Sequence, residues 1–196
     1  MKSNLIFASH NNHKVSEIQV LFPENINLVS LADLKFQDDI PETGSTLEEN
    51  AKIKAMTIFR IFSQPCFADD TGLEVQALNG EPGVYSARYA GENATFEDNC
   101  NLLLDNMKGI QNRSATFRTV ICFIDSHGNE SLFEGKIEGE IVENQNGDKG
   151  FGYDPIFKPS GNTNTFAQMN LEEKNKLSHR SEALHQLLNF LNSTQI

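Results

Sequence analysis

The chain has no apolar run approaching the ~20 residues that a helix needs to cross a bilayer, so no membrane-spanning helix is expected. Met1, Lys2, Ser3 and Asn4 lead straight into a strand-like segment rather than a secretory signal, which makes a soluble, cytoplasmic protein the expectation. Cysteine is scarce. Cys66, Cys100 and Cys122 are odd in number and lack Cys-x-x-Cys spacing, which points away from disulfides or zinc and toward reduced packing residues. Positive charge is in deficit as well. Lys and Arg total 16 against 27 Asp and Glu, a formal net charge of −11, and no basic stripe offers a footprint for a nucleic-acid backbone. A small polyanion stays compatible if positive charge is concentrated locally. No internal repeat, low-complexity tract or linker interrupts the 196 residues, which read as a single domain over 1–196.

What is present has an α/β pattern. Leu5 to Ala8 reads as a buried strand, followed by a polar turn and a helix with the stripe Val15, Ile18 and Phe22, ended near Pro23. A second helix starts at Thr46, with Glu49 three residues on as a capping box, and carries Leu47, Ala51, Ala55, Ile58 and Phe62 on one face. A third starts near Thr95 with the stripe Phe96, Cys100, Leu103 and Met107, and a last one runs from about Ser178 through Leu191. Between them, Thr116 to Asp125 is strongly β-prone. After the turn 126–129, Phe133, Gly135, Ile137, Gly139 and Ile141 alternate with charged residues, which predicts a long, half-exposed strand. The sheet should be mixed, parallel early and antiparallel late.

The candidate chemistry lies at the ends of these elements. In Phe67-Ala68-Asp69-Asp70-Thr71-Gly72, two carboxylates close an apolar strand and are expected to open into a Thr-Gly turn. Such a placement can hold a metal and a base, although Asp in a turn also serves simply to bond nearby backbone. Ser9-His10-Asn11-Asn12-His13-Lys14 joins the first strand to the first helix, where N–H groups and the helix dipole favour phosphate. It has no Walker glycines, and taken alone the segment reads better as a plain capping turn with a solvated Lys. Glu42 is a further turn carboxylate. Phe151-Gly152-Tyr153-Asp154 offers aromatics that could stack on a base or only on one another. Lys174, with Ser178-His179-Arg180, puts cationic donors at the start of the last helix, where the dipole disfavours them, so an anionic or acceptor-rich partner is one reading and exposed surface the other.

Taken in order, Ser9-x-Asn11-x-x-Lys14, Glu49-Asn50-Ala51-x-x-Lys54-Ala55, Ala68-Asp69-Asp70-Thr71-Gly72-Leu73, the run 82–91, Phe151-Gly152-Tyr153-Asp154-Pro155 and Ser178-His179-Arg180 closely resemble the inosine triphosphate pyrophosphatase family, across nearly the whole chain. The resemblance implies an elongated mixed sheet with flanking helices forming two lobes around a central cleft, a homodimer, dependence on Mg²⁺, and hydrolysis of ITP, dITP and XTP to monophosphate and pyrophosphate. By the same resemblance Asp70 is the proton acceptor and, with Glu42, a metal ligand. Asp69 assists, Thr71 contacts substrate, and the 9–14 segment is the phosphate loop. Phe151, Gly152, Tyr153, Asp154, Lys174, His179 and Arg180 would lie on the nucleoside side; Arg180, which has donors only, would then suit the purine 6-oxo acceptor. The family's loop more often reads Thr-Gly-Asn. If a left-handed residue were required there, His10 would be strained. Two rivals stay open at this point: a Maf-like pyrophosphatase acting on pyrimidine or modified nucleotides, and a nucleotide-binding regulator without turnover.

Overall fold

The computed structural model describes residues 3–194. Met1 and Lys2, read above as leading into the first strand, lie outside the described residues. The elements run β1 (Ser3–Phe7), α1 (Asn12–Gln19), β2 (Ile26–Ser30), α2 (Leu47–Phe62), β3 (Cys66–Val75), β4 (Pro82–Gly83), α3 (Phe96–Asn106), β5 (Ser114–Ile124), β6 (Glu130–Ile141), β7 (Phe157–Pro159), α4 (Leu171–Asn175) and α5 (His179–Thr194). The strand order is β2-β1-β3-β5-β6-β7, with β4 on β3. β1 is parallel to both β2 and β3, whereas β3–β4 and β6–β7 are antiparallel, so the sheet is mixed. No described helix is long and apolar enough to cross a membrane.

The chain divides into two compact units. The first comprises the described residues up to Asp70, Thr119–Gly135 and those from Arg180 onward; the second comprises Thr71–Arg118 and Lys136–His179. In the first unit, Leu5, Phe7, Ile18, Phe67, Ile121 and Phe123 form a core with Ala183, Leu184, Leu187 and Leu191 of α5. The last three residues of β1, Leu5, Ile6 and Phe7, are all buried, as a parallel strand covered on both faces requires. The second unit has its own core, in which Leu73, Val75, Leu103 and Met107 meet Phe117, Tyr153, Phe157 and Phe166.

Helix ends depart from expectation in instructive ways. Helix α1 stops at Gln19 rather than near Pro23, because Leu21 and Phe22 donate to carbonyls only three residues back, which tightens the final turn and ends it. At α2, Thr46 caps Glu49 N–H at 3.2 Å as expected. The Glu49 carboxylate, however, reaches past Thr46 to the N–H and hydroxyl of Ser45, at 2.6 and 2.8 Å. The largest correction concerns the Asp doublet. It does not open into a turn; β3 continues unbroken through Thr71 and Gly72 to Val75, because Leu73 and Val75 are core residues and β4 pairs with Leu73 and Glu74. The alternation of β6 holds, with residues 133, 135, 137, 139 and 141 partly or wholly buried between exposed neighbours. The elements β2, β4, β7 and α4 were not anticipated; each has five residues or fewer, too few for a period to register.

Phe67 anchors the strand that carries the doublet. It is fully buried and stacks on Phe7 with ring centroids 4.7 Å apart and planes 14° from parallel. Phe67→Ala should cost about 3–5 kcal/mol in chemical denaturation. Val20→Ala, at a surface position, should stay within about 0.5 kcal/mol of wild type. Equal effects at the two positions would contradict this core assignment.

Candidate active site

Side chains alternate across a strand, so Asp69 and Asp70 leave β3 on opposite faces. Asp69 follows Phe67 toward α1 and α5. Its Oδ2 lies 3.0 Å from Lys14 Nζ and accepts from Arg180 Nε at 3.3 Å. Arg180 in turn donates through Nη1 to Glu17 at 2.5 Å. Asp70 follows Cys66 and Ala68 toward α2. Its Oδ1 accepts from Lys54 Nζ at 2.8 Å, its Oδ2 accepts from Asn50 Nδ2 at 3.2 Å, and Lys54 also donates to Glu42 at 2.7 Å. The first unit therefore gathers Lys14, Glu42, Asp69, Asp70 and Arg180 from four separate stretches of chain.

The loop before α1 is stitched to itself. Asn11 caps the helix, its Oδ1 accepting from the N–H groups of His13 and Lys14 at 3.0 and 3.1 Å, while Asn11 N–H donates to Ser9 Oγ at 3.2 Å. Three of the backbone donors expected to face phosphate are thus engaged by the loop's own side chains. Asn12 begins the helix, its carbonyl taking a bond from Ser16 Oγ. His10 stacks on Phe36 at 5.9 Å, and its Nε2 lies 3.1 Å from the Asp38 carbonyl. His10 is not left-handed, so the strain that a glycine-requiring loop would impose is absent.

The second unit holds the remaining expected residues. Thr71 is half-buried in β3. Asp154 Oδ2 accepts from Phe151 N–H at 2.9 Å and from Lys174 Nζ at 2.5 Å, and the Lys174 ammonium lies 5.1 Å from the centre of the Phe151 ring. Gly152 takes φ +62°, and its carbonyl accepts from the Cys100 thiol. Tyr153 donates to the Ser86 carbonyl at 2.9 Å, and the His179 ring lies flat on Phe117 at 4.6 Å.

A sequence model of the Ham1 family matches residues 5–190. The chain belongs to the Ham1 family. It is 50% identical to a Flavobacterium johnsoniae protein named dITP/XTP pyrophosphatase, over 97% of this chain and 99% of that one. A Thermoanaerobacter pseudethanolicus protein of the same name is 47% identical over 95% of this chain and 96% of its own length. Among solved structures, the Staphylococcus aureus Ham1 protein superposes with a TM-score of 0.89 at 40% identity, covering 98% of this chain and all of that one.

Burial and charge set the acidities of this Ham1 family site. Burial alone would push the Asp69 carboxyl up, but Lys14, Arg180 and Lys54 outweigh it and hold the group well below the usual carboxylate range. At Asp70 burial wins: the carboxyl is raised, with Lys54 and Lys14 opposing. Burial lowers Lys14 despite Asp69, whereas at Lys54 the carboxylates of Asp70, Glu42 and Asp69 overcome the burial effect and raise it. Glu42 and Asp70 are the carboxylates suited to a divalent cation, since their oxygens already converge on one ammonium. Among the described residues, no three His, Cys, Asp or Glu side chains group to hold a metal unaided.

Glu17, Asn50 and Lys54 join the site without a motif role that the sequence assigns them. The available signal was an Asn and a Lys four residues apart within the apolar stripe of α2, since Lys is seldom buried unless paired. Arg180, expected on the nucleoside side, has its guanidinium engaged by Glu17 and Asp69.

Because Asp69 is held below its ordinary acidity, it adds stability that is fully present above the usual carboxylate range and is lost as pH falls toward the depressed value. Asp69→Asn should therefore cost about 3–5 kcal/mol at neutral pH, the usual penalty for breaking a buried ion pair. The gap to wild type should narrow below about pH 4. Denaturant melts showing a constant gap down to pH 3 would contradict the ion-pair account.

Proposed function

We propose that this chain is a nucleoside triphosphate pyrophosphatase that hydrolyses ITP, dITP and XTP to the monophosphate and pyrophosphate, removing non-standard purines from the nucleotide pool. Membership of the Ham1 family and the names of its relatives support the reaction. The observation that carries the mechanism is Asp70: a buried carboxylate of raised proton affinity, held by two side chains of α2 and joined through Lys54 to Glu42.

In this reading Asp70 takes a proton from water, and the water oxygen forms a bond to the α-phosphorus as the bond to the bridging oxygen breaks in line. The electron pair departs with pyrophosphate, whose charge Lys14 meets. A carboxylate raised by burial is a better proton acceptor near neutral pH than an exposed one. Glu42 and Asp70 would hold Mg²⁺, which when bound supplies charge neutralisation at the phosphate oxygens. Four carboxylates, of Glu17, Glu42, Asp69 and Asp70, face the cations of Lys14, Lys54 and Arg180, and that residual negative charge favours a divalent cation over a bare polyanion. For Arg180 these contacts favour holding Asp69 over reading the purine. The nucleoside-side role of Phe151 to Asp154, Lys174 and His179 rests on the resemblance, supported by the Phe151 and Phe166 rings beside the Lys174 ammonium.

A panel of ITP, ATP, UTP and dTTP with Mg²⁺, assayed separately for pyrophosphate and orthophosphate, tests the proposal. ITP should yield pyrophosphate alone, chelation should abolish turnover, and Asp70→Asn should lower kcat by about 10²–10⁴ with binding largely kept. Orthophosphate as the direct product would overturn the scheme. Preferred turnover of UTP or dTTP would favour the Maf-like reading instead.

A further inference from the structure

Asn50 is wholly buried in the first turns of α2, and both ends of its carboxamide are used. Its Oδ1 accepts from Gly44 N–H at 2.8 Å, and its Nδ2 donates to Asp70 Oδ2 at 3.2 Å. A backbone N–H can only donate and a carboxylate can only accept, so the partners themselves determine which way the amide points. Gly44 is two residues from Glu42 and lies hard against the helix: a Cβ there would sit 2.6 Å from Glu49 Cβ and 2.8 Å from Asn50 Oδ1. One helical turn further along the same face, Lys54 takes the other oxygen of Asp70 and also Glu42. The two carboxylates are therefore tied together twice, by the Lys54 ammonium and by the Asn50 amide through the backbone of the loop that carries Glu42.

We infer that Asn50 is a positioning residue for hydrolysis, one that sets the plane of the Asp70 carboxylate relative to the Glu42 loop without touching substrate. The inference rests on the reading of Asp70 as the base. An uncharged amide suits the position. Leu would remove the bonds to Gly44 N–H and Asp70 Oδ2, while Asp would keep the acceptor for Gly44 N–H but set a second carboxylate against Asp70.

The test compares wild type, Asn50→Asp, Asp70→Asn and the double variant in steady-state pyrophosphate release from ITP at saturating Mg²⁺, with thermal midpoints for all four. Asn50→Asp should lower kcat about 10- to 100-fold, the scale of a small misplacement at a reacting group, and leave KM within about threefold. It should also lower the midpoint in the wild-type background but leave it unchanged or raise it in the Asp70→Asn background, where the exchanged pair regains one amide donor and one carboxylate acceptor. A merely structural residue would lower the midpoint equally in both backgrounds, and that result would overturn the inference. So would a kcat for Asn50→Asp within about threefold of wild type. An active wild type with an unaffected Asn50→Asp variant removes the inference alone, whereas a wild type that releases no pyrophosphate overturns the pyrophosphatase reading and this role together.

Discussion

A carboxylate taken out of water must be met by a cation or by several hydrogen-bond donors, and β3 buries two of them on consecutive residues. Strand pleating sends one to each face, so no single partner can serve both. Asp69 is answered by Lys14 of α1 and Arg180 of α5, and Asp70 by Asn50 and Lys54 of α2. Helices distant in sequence are thereby fastened to one strand. The same demand explains Glu17, which keeps the buried guanidinium of Arg180 from carrying an unbalanced charge.

This arrangement also reconciles the proposed phosphate-directed site with an acidic protein. A net charge of −11 is a sum over the whole chain, whereas the field at a buried cluster is set by the few groups within several ångströms and is little screened. The two faces of β3 consequently differ in character. Asp69, its acidity locked by cations, acts as a fixed counter-charge, while Asp70, raised by burial, has the proton affinity suited to a base. Neighbouring residues of one type acquire different chemistry from their surroundings.

The loop before α1 shows a comparable division of labour. Asn11 satisfies two of the first helical N–H groups itself, so the dipole end is capped before any ligand arrives, and Lys14 is the group of that loop brought to Asp69. His10 braces the loop against Phe36 and the Asp38 carbonyl without a left-handed backbone. In the second unit Asp154 plays a similar organising part, tying the Phe151 N–H to Lys174.

The α/β class, the helices α2, α3 and α5, and the alternation of β6 were legible in the sequence, because each rests on a period long enough to read in one dimension. The ordered motifs pointed to the family and to the Asp doublet, since residue types at close spacing survive without knowledge of the fold. The turn expected after Asp70 was misread, because Thr71-Gly72 carries a local turn signal that the burial of Leu73 and Val75 and pairing with β4 override. Short β2, β4, β7 and α4 depend on neighbours for their existence. Above all, the partners of the carboxylates were decided only by tertiary structure. Lys14, Asn50, Asp70 and Arg180 are separated by up to 166 positions in the chain, and nothing in a linear pattern records which charges meet. Their pairing follows from strand alternation combined with helix placement, and from the cost of leaving any one of them buried alone.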